Sequence, residues 1–142
     1  MQLGRFPYVP LSKYPHLKPE DILTWEAFIA KYPSEYLRVD YDFPVGELAQ
    51  HTEIAVELSI GGAERVNQYK IDVVAYRENS IDIIELKNKA VPGTIGQVLV
   101  YKNLYDREMK PTKPTSAIII ARNSSPDMDR LATEHGVTLL LV

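Results

Sequence analysis

Ile71-Asp72-Val73-Val74-Ala75-Tyr76, then Arg77-Glu78-Asn79-Ser80, then Ile81-Asp82-Ile83-Ile84-Glu85-Leu86-Lys87 decides how this chain is read. Two β-rich runs flank four residues of turn chemistry, which is the pattern of a hairpin. Adjacent Ile83 and Ile84 break a simple alternation, so both faces of the second strand are expected to be covered. Residues two apart on a strand share a face, so Glu85 and Lys87 point the same way. Asp72 lies on the partner strand, within reach of both. Charges in an interior hairpin are costly unless they are paired or bind a metal.

Outward from the hairpin, Pro92-Gly93-Thr94 breaks the chain, and Thr94 is expected to cap a helix running to about Arg107. Gln97 and Tyr101, four apart, share one face of that helix. Thr115 to Ala121 reads as a buried strand. Ser125-Pro126 reads as an N-cap followed by a first-turn proline, opening a helix that ends at Gly136. Val137 to Val142 reads as a closing strand.

Towards the N-terminus, Tyr36 to Val45 reads as a strand, with Pro44 favouring an edge position or a strand end. Pro19-Glu20-Asp21 opens a helix that Pro33 stops. Its apolar stripe is Ile22, Trp25, Ile29 and Tyr32, with Leu23 at the flank, and Glu26 falls inside that arc. Residues 1–19 hold four prolines and read as an extended arm. Residues 46–68 are the least legible: Ile54 to Ile60 suits strand or helix, and Gly61-Gly62 is a break. The expected organisation is a proline-rich arm, 1–19, and one α/β domain, 20–142, with a mixed sheet and helices on both faces.

The bulk properties exclude several classes. The chain has 142 residues, 45% hydrophobic and 25% charged, as in an ordinary single globular domain. It has no cysteine, so a disulfide framework and a thiolate metal site are out. His16, His51 and His135 lack metal-ligand spacing. No apolar run suits a membrane span or a secretory signal, so a cytoplasmic protein without membrane partners is expected. Net charge is −3. Residues 1–69 carry six Lys/Arg against ten Asp/Glu, and residues 70–113 carry eight against six. A polyanion should therefore meet the second segment, with Lys89, Lys102, Arg107, Lys110 and Lys113 as backbone contacts.

Two carboxylates, Asp72 and Glu85, with the Leu86 carbonyl between them, suit a hard cation such as Mg²⁺ or Mn²⁺. Lys87 would orient a water or stabilise charge on a phosphate. The bland alternative is a solvated Glu-x-Lys face beside a turn-proximal aspartate.

Asp72, followed by Glu85-Leu86-Lys87, resembles the PD-(D/E)XK nuclease superfamily, although Ile71 stands where that family usually has proline. Gln97 to Tyr101 resembles the Gln-x-x-x-Tyr motif of its RecB-like branch. The resemblance implies a restriction-endonuclease-like mixed β-sheet core flanked by helices. It also implies a Mg²⁺- or Mn²⁺-dependent deoxyribonuclease, an exonuclease or a structure-selective endonuclease, acting in replication, recombination or repair. The small size resembles stand-alone or phage-encoded members. Asp72, Glu85 and Lys87 would be catalytic, and Gln97 and Tyr101 would bind substrate. A glutamate on the first helix would reach the metal; Glu26 is the candidate there, with His51, Glu53 and Glu57 competing. DNA is the implied partner, with a homodimer or a larger complex left open. Two other readings stand: a non-catalytic nuclease-fold module for DNA binding or assembly, and a generic α/β domain with coincidental charges.

Overall fold

The computed structural model describes residues 2–46 and 69–142. The expectations placed on Ile54–Ile60, His51, Glu53 and Glu57 fall outside them. The elements are β1 (Phe6–Pro7), α1 (Pro19–Lys31), β2 (Arg38–Val45), β3 (Tyr69–Tyr76), β4 (Ile81–Ala90), α2 (Pro92–Met109), β5 (Thr115–Ser124), α3 (Met128–Glu134) and β6 (Val137–Leu141). The six strands form one sheet in sequence order. Strands β1 to β4 pair antiparallel, and β4, β5 and β6 pair parallel. The expected mixed sheet with helices on both faces is what the chain forms.

Strand parity assigns the faces. Ile84, Leu86, Ile118 and Ile120 pack with Trp25 and Phe28 of α1. Ala117, Ile119 and Ala121 pack under Ile95 and Val98 of α2 and Met128 and Ala132 of α3. Ile81, Ile83 and Val74 pack with Tyr105 of α2. Glu85 therefore shares the α2 face with Ile83, which is where Gln97 resides.

Helix α1 starts with Pro19 in its first turn, followed by Glu20 and Asp21, as acids near the positive end of the helix dipole should. Its buried face is Thr24, Trp25, Phe28 and Ile29, one step round from the expected stripe, and Leu23 is 66% exposed. The shift arises because the arm docks on this helix. Tyr8 and Tyr14 are buried, and Tyr8 sits edge-on to Trp25. Trp25 has no exposed surface, and its Nε1 donates to Tyr41 Oη at 2.7 Å. Trp25→Ala is expected to lower stability by roughly 3–5 kcal/mol in a denaturant titration, from lost packing around the cavity it leaves.

The arm is anchored further by β1, which pairs with β2. The Gly4 and Arg5 amides both donate to the buried Asp40 carboxylate, at 2.8 and 2.9 Å. Gly4 has φ +67°, and a Cβ there would lie 2.9 Å from Arg38 Cβ, so glycine is what lets the arm pass this closely. Strand β1 pairs only with Arg38 and Val39, so Pro44 lies on a stretch of β2 whose outer edge it does not cover.

Two helix starts differ from expectation. Helix α2 begins at Pro92, so Thr94 is its third residue, and Thr94 Oγ1 accepts from the Val91 amide at 3.3 Å. The hydroxyl acts backwards along the first turn instead of forwards from an N-cap. Helix α3 begins at Met128 after Asp127 at φ +67°, which displaces Ser125 from the capping position.

Candidate active site

A local distortion creates the site. On β2, Val39 and Tyr41 pack on the α1 face, yet Phe43 and Val45, of the same parity, pack on the α2 face. On β3, Val73 and Ala75 lie on the α1 face, and Ile71 lies on the other. The change of face falls at Asp42, at φ +52°, opposite Asp72. Aspartate is one of the few side chains that tolerate this left-handed backbone.

The β3–β4 pairing ends at Val73–Ile84, so Asp72 and Glu85 lie just where the strands part. Backbone amides freed by the parting turn to side chains. The Leu86 amide donates to Asp72 Oδ2 at 2.9 Å, and the Asp72 amide reaches Glu85 Oε1 at 3.4 Å. The two carboxylates are thus locked against each other's strands. Glu85 is 2% exposed.

The cleft formed there has a volume of about 200 Å³. Asp72, Glu85, Leu86 and Lys87 line it, together with Gln97 from α2 and Lys18 and Asp21 from the start of α1. Burial raises the pKa of Asp72, opposed chiefly by the hydrogen bond from the Leu86 amide. Burial raises Glu85 well above its ordinary value, and the Asp72 charge adds to it. Burial and the neighbouring charge both work against the pair carrying two negative charges. Two buried carboxylates that cannot both ionise readily are a site in need of positive charge.

Among the described residues, no three or more His, Asp or Glu side chains gather into a metal cage. A pair of carboxylates with water completing the shell is nonetheless what Mg²⁺ ordinarily accepts. The chemistry of the pair therefore fits a hard divalent cation. Leu86 meets the Asp72 carboxylate through its amide.

Glu26 is not part of the cleft. Its Oε2 accepts from Tyr14 Oη at 2.6 Å, so it fastens the arm to α1. The α1 acids that line the cleft are Glu20, which is exposed, and the half-buried Asp21, about one and a half turns before Glu26; the sequence reading passed over Asp21 as a site residue. Its carboxyl is pushed up to about 6, by burial first and then by the Asp72 and Glu20 charges, with Lys18 and Lys87 opposing. A first-turn acid looks like a simple dipole partner in sequence, which hid it.

Gln97 Nε2 donates to Tyr101 Oη at 3.2 Å, so the pair sharing a helix face is also in contact. Gln97 lines the cleft, and Tyr101 stands behind it with its hydroxyl pKa raised by burial. Lys89 is exposed near the end of β4. Lys102 does not line the cleft; its Nζ pairs with Asp106 Oδ2 at 2.9 Å.

No protein-family profile matches the chain, and no curated protein matches it. Two solved structures are similar. One is a repair endonuclease from Pyrococcus abyssi, with a TM-score of 0.56 and 16% identity, covering 93% of this chain and 49% of that one. The other is the EndoMS-dsDNA2 complex, with a TM-score of 0.50 and 16% identity, covering 93% and 48%. This chain spans about half the length of each. No helix among the described residues is long and apolar enough to cross a membrane. In architecture the chain has a restriction-endonuclease-like fold, shared with these two structures.

Proposed function

We propose that this protein is a metal-dependent nuclease that hydrolyses phosphodiester bonds in DNA, in replication, recombination or repair. The observation that carries the proposal is the pairing of half-buried Asp72 with buried Glu85 at the parting of β3 and β4, with Lys87 lining the same cleft. The similarity of the fold to repair endonucleases supports it. A bound Mg²⁺ or Mn²⁺ would polarise the scissile phosphate and lower the pKa of a water.

The chain's own residues have separable roles. Asp72 and Glu85 hold the cation, with the Leu86 carbonyl as a further donor. Asp21 adds negative charge from the opposite wall. Lys87 positions the attacking water and offsets charge building on the phosphate. Gln97, braced by Tyr101, contacts the substrate backbone or a base near the scissile bond. Lys89 meets the phosphate backbone beyond the cleft.

The test is incubation with labelled single-stranded, duplex, flapped and branched DNA in Mg²⁺, Mn²⁺ or EDTA. Metal-dependent cleavage of at least one form is the expected result. No cleavage of any form in either metal would sink the nuclease reading and favour the non-catalytic module. The proline-rich arm, which could have served such a module as a partner-binding segment, packs on its own domain.

Gln97→Ala is expected to weaken DNA binding or cleavage about tenfold or more, the range for losing a hydrogen bond to a charged group. The metal-induced rise in melting temperature should survive. Loss of that rise would show that Gln97 serves the metal and not the substrate.

A further inference from the structure

The cleft is not the only concavity among the described residues. A cavity of about 430 Å³ lies at the opposite end of the β3–β4 hairpin, beside the turn, and shares no lining residue with the carboxylate site. Its size falls in the range of small-molecule sites. Tyr76, Ile81, Tyr105 and Met109 contribute to its wall, and Lys110 and Lys113 to its rim.

Three features mark this cavity. Neither Lys110 nor Lys113 has an ion-pair partner among the described residues. Tyr105 is completely buried, and its hydroxyl has no hydrogen-bond partner of sound geometry. The Tyr76 hydroxyl lies within hydrogen-bonding reach of it, but Tyr76 gives its own proton to Asp40 Oδ2 at 2.7 Å. A buried polar group without a partner costs about 1–3 kcal/mol. Finally, Lys110 itself adopts a left-handed conformation, φ +46°, which turns the chain sharply at the end of α2 and so shapes the rim.

We propose that this cavity is a second ligand site, for a small organic anion with a flat apolar body. The aromatic and aliphatic wall takes the body, and Lys110 and Lys113 take the charged group. Arg38, which also lines the cavity, is occupied in holding the arm: its guanidinium donates to the Gly4 and Arg5 carbonyls at 2.9 and 3.1 Å. The arm thus forms a fixed side of the cavity, and the two lysines are the cations free to meet a ligand.

The probe is 1-anilinonaphthalene-8-sulfonate, a flat apolar molecule with one anionic group, titrated by fluorescence and calorimetry into the full chain. One saturable site per chain is expected. Lys110→Ala/Lys113→Ala should weaken it at least tenfold, and Met109→Trp, which fills the cavity, should abolish it. In both variants the metal-induced melting shift should be unchanged, which separates this site from the nuclease centre and confirms folding. Binding of equal strength in wild type and both variants, or no saturable site, would overturn the proposal.

Discussion

Lys87→Ala is expected to fold, to bind metal and to lose at least about a hundredfold in cleavage rate. Lys87 follows Glu85 on the same strand face and lines the cleft with both carboxylates. Its ammonium acts on charge that develops only in the transition state, and such a positioned charge carries about 10²–10³ in rate. Its ground-state contribution is smaller, because the side chain is only half buried. Single-turnover cleavage of a labelled substrate, run beside a thermal melt with and without Mn²⁺, measures both at once. A folded, metal-binding variant that cuts as fast as wild type would place any activity elsewhere on the molecule.

The second large effect is the response of stability to metal and pH. A ligand that binds only the folded state at a hundredfold its Kd stabilises by about 2.7 kcal/mol. For a domain of this size that is roughly 5–10 °C in Tm. Glu85→Gln should remove most of the rise. It should also make the metal-free protein more stable at neutral pH, because it removes a buried charge beside Asp72.

The pH dependence follows from the direction of the shifts. Asp21, Asp72 and Glu85 all have raised folded-state values, so the folded state binds protons more tightly than the unfolded state. The metal-free protein therefore loses stability from these groups as pH rises from the ordinary carboxylate range, through about 6 for Asp21 and onward for the pair. Metal should reverse the trend, because the cation binds the deprotonated pair, and its melting shift should shrink on acidification. Melts between pH 5 and 8, with Mn²⁺ and with EDTA, test this. A Tm that is insensitive to metal across that range would remove the metal site.

Much of the fold is written locally. The turn at Arg77–Ser80, the β-rich runs on either side, and the helix-then-strand pattern after them determine an antiparallel hairpin leading into parallel strands. Period-two alternation puts Glu85 and Lys87 on one face, and helical spacing puts Gln97 beside Tyr101. These are short-range consequences of backbone geometry, so the sequence by itself determined them.

What it did not determine depends on contacts between distant segments. The space between Asp72 and Glu85 exists because β2 changes face at Asp42, thirty residues before Asp72, and no local pattern marks that aspartate as left-handed. The choice of Asp21 over Glu26 was made by the arm, whose Tyr14 engages Glu26 and rotates the buried face of α1. Lys102 pairs with Asp106 one turn on. In each case several side chains were chemically eligible. Which one faces the cleft was decided by packing, where burial and pairing energies set by long-range neighbours outweigh local propensity.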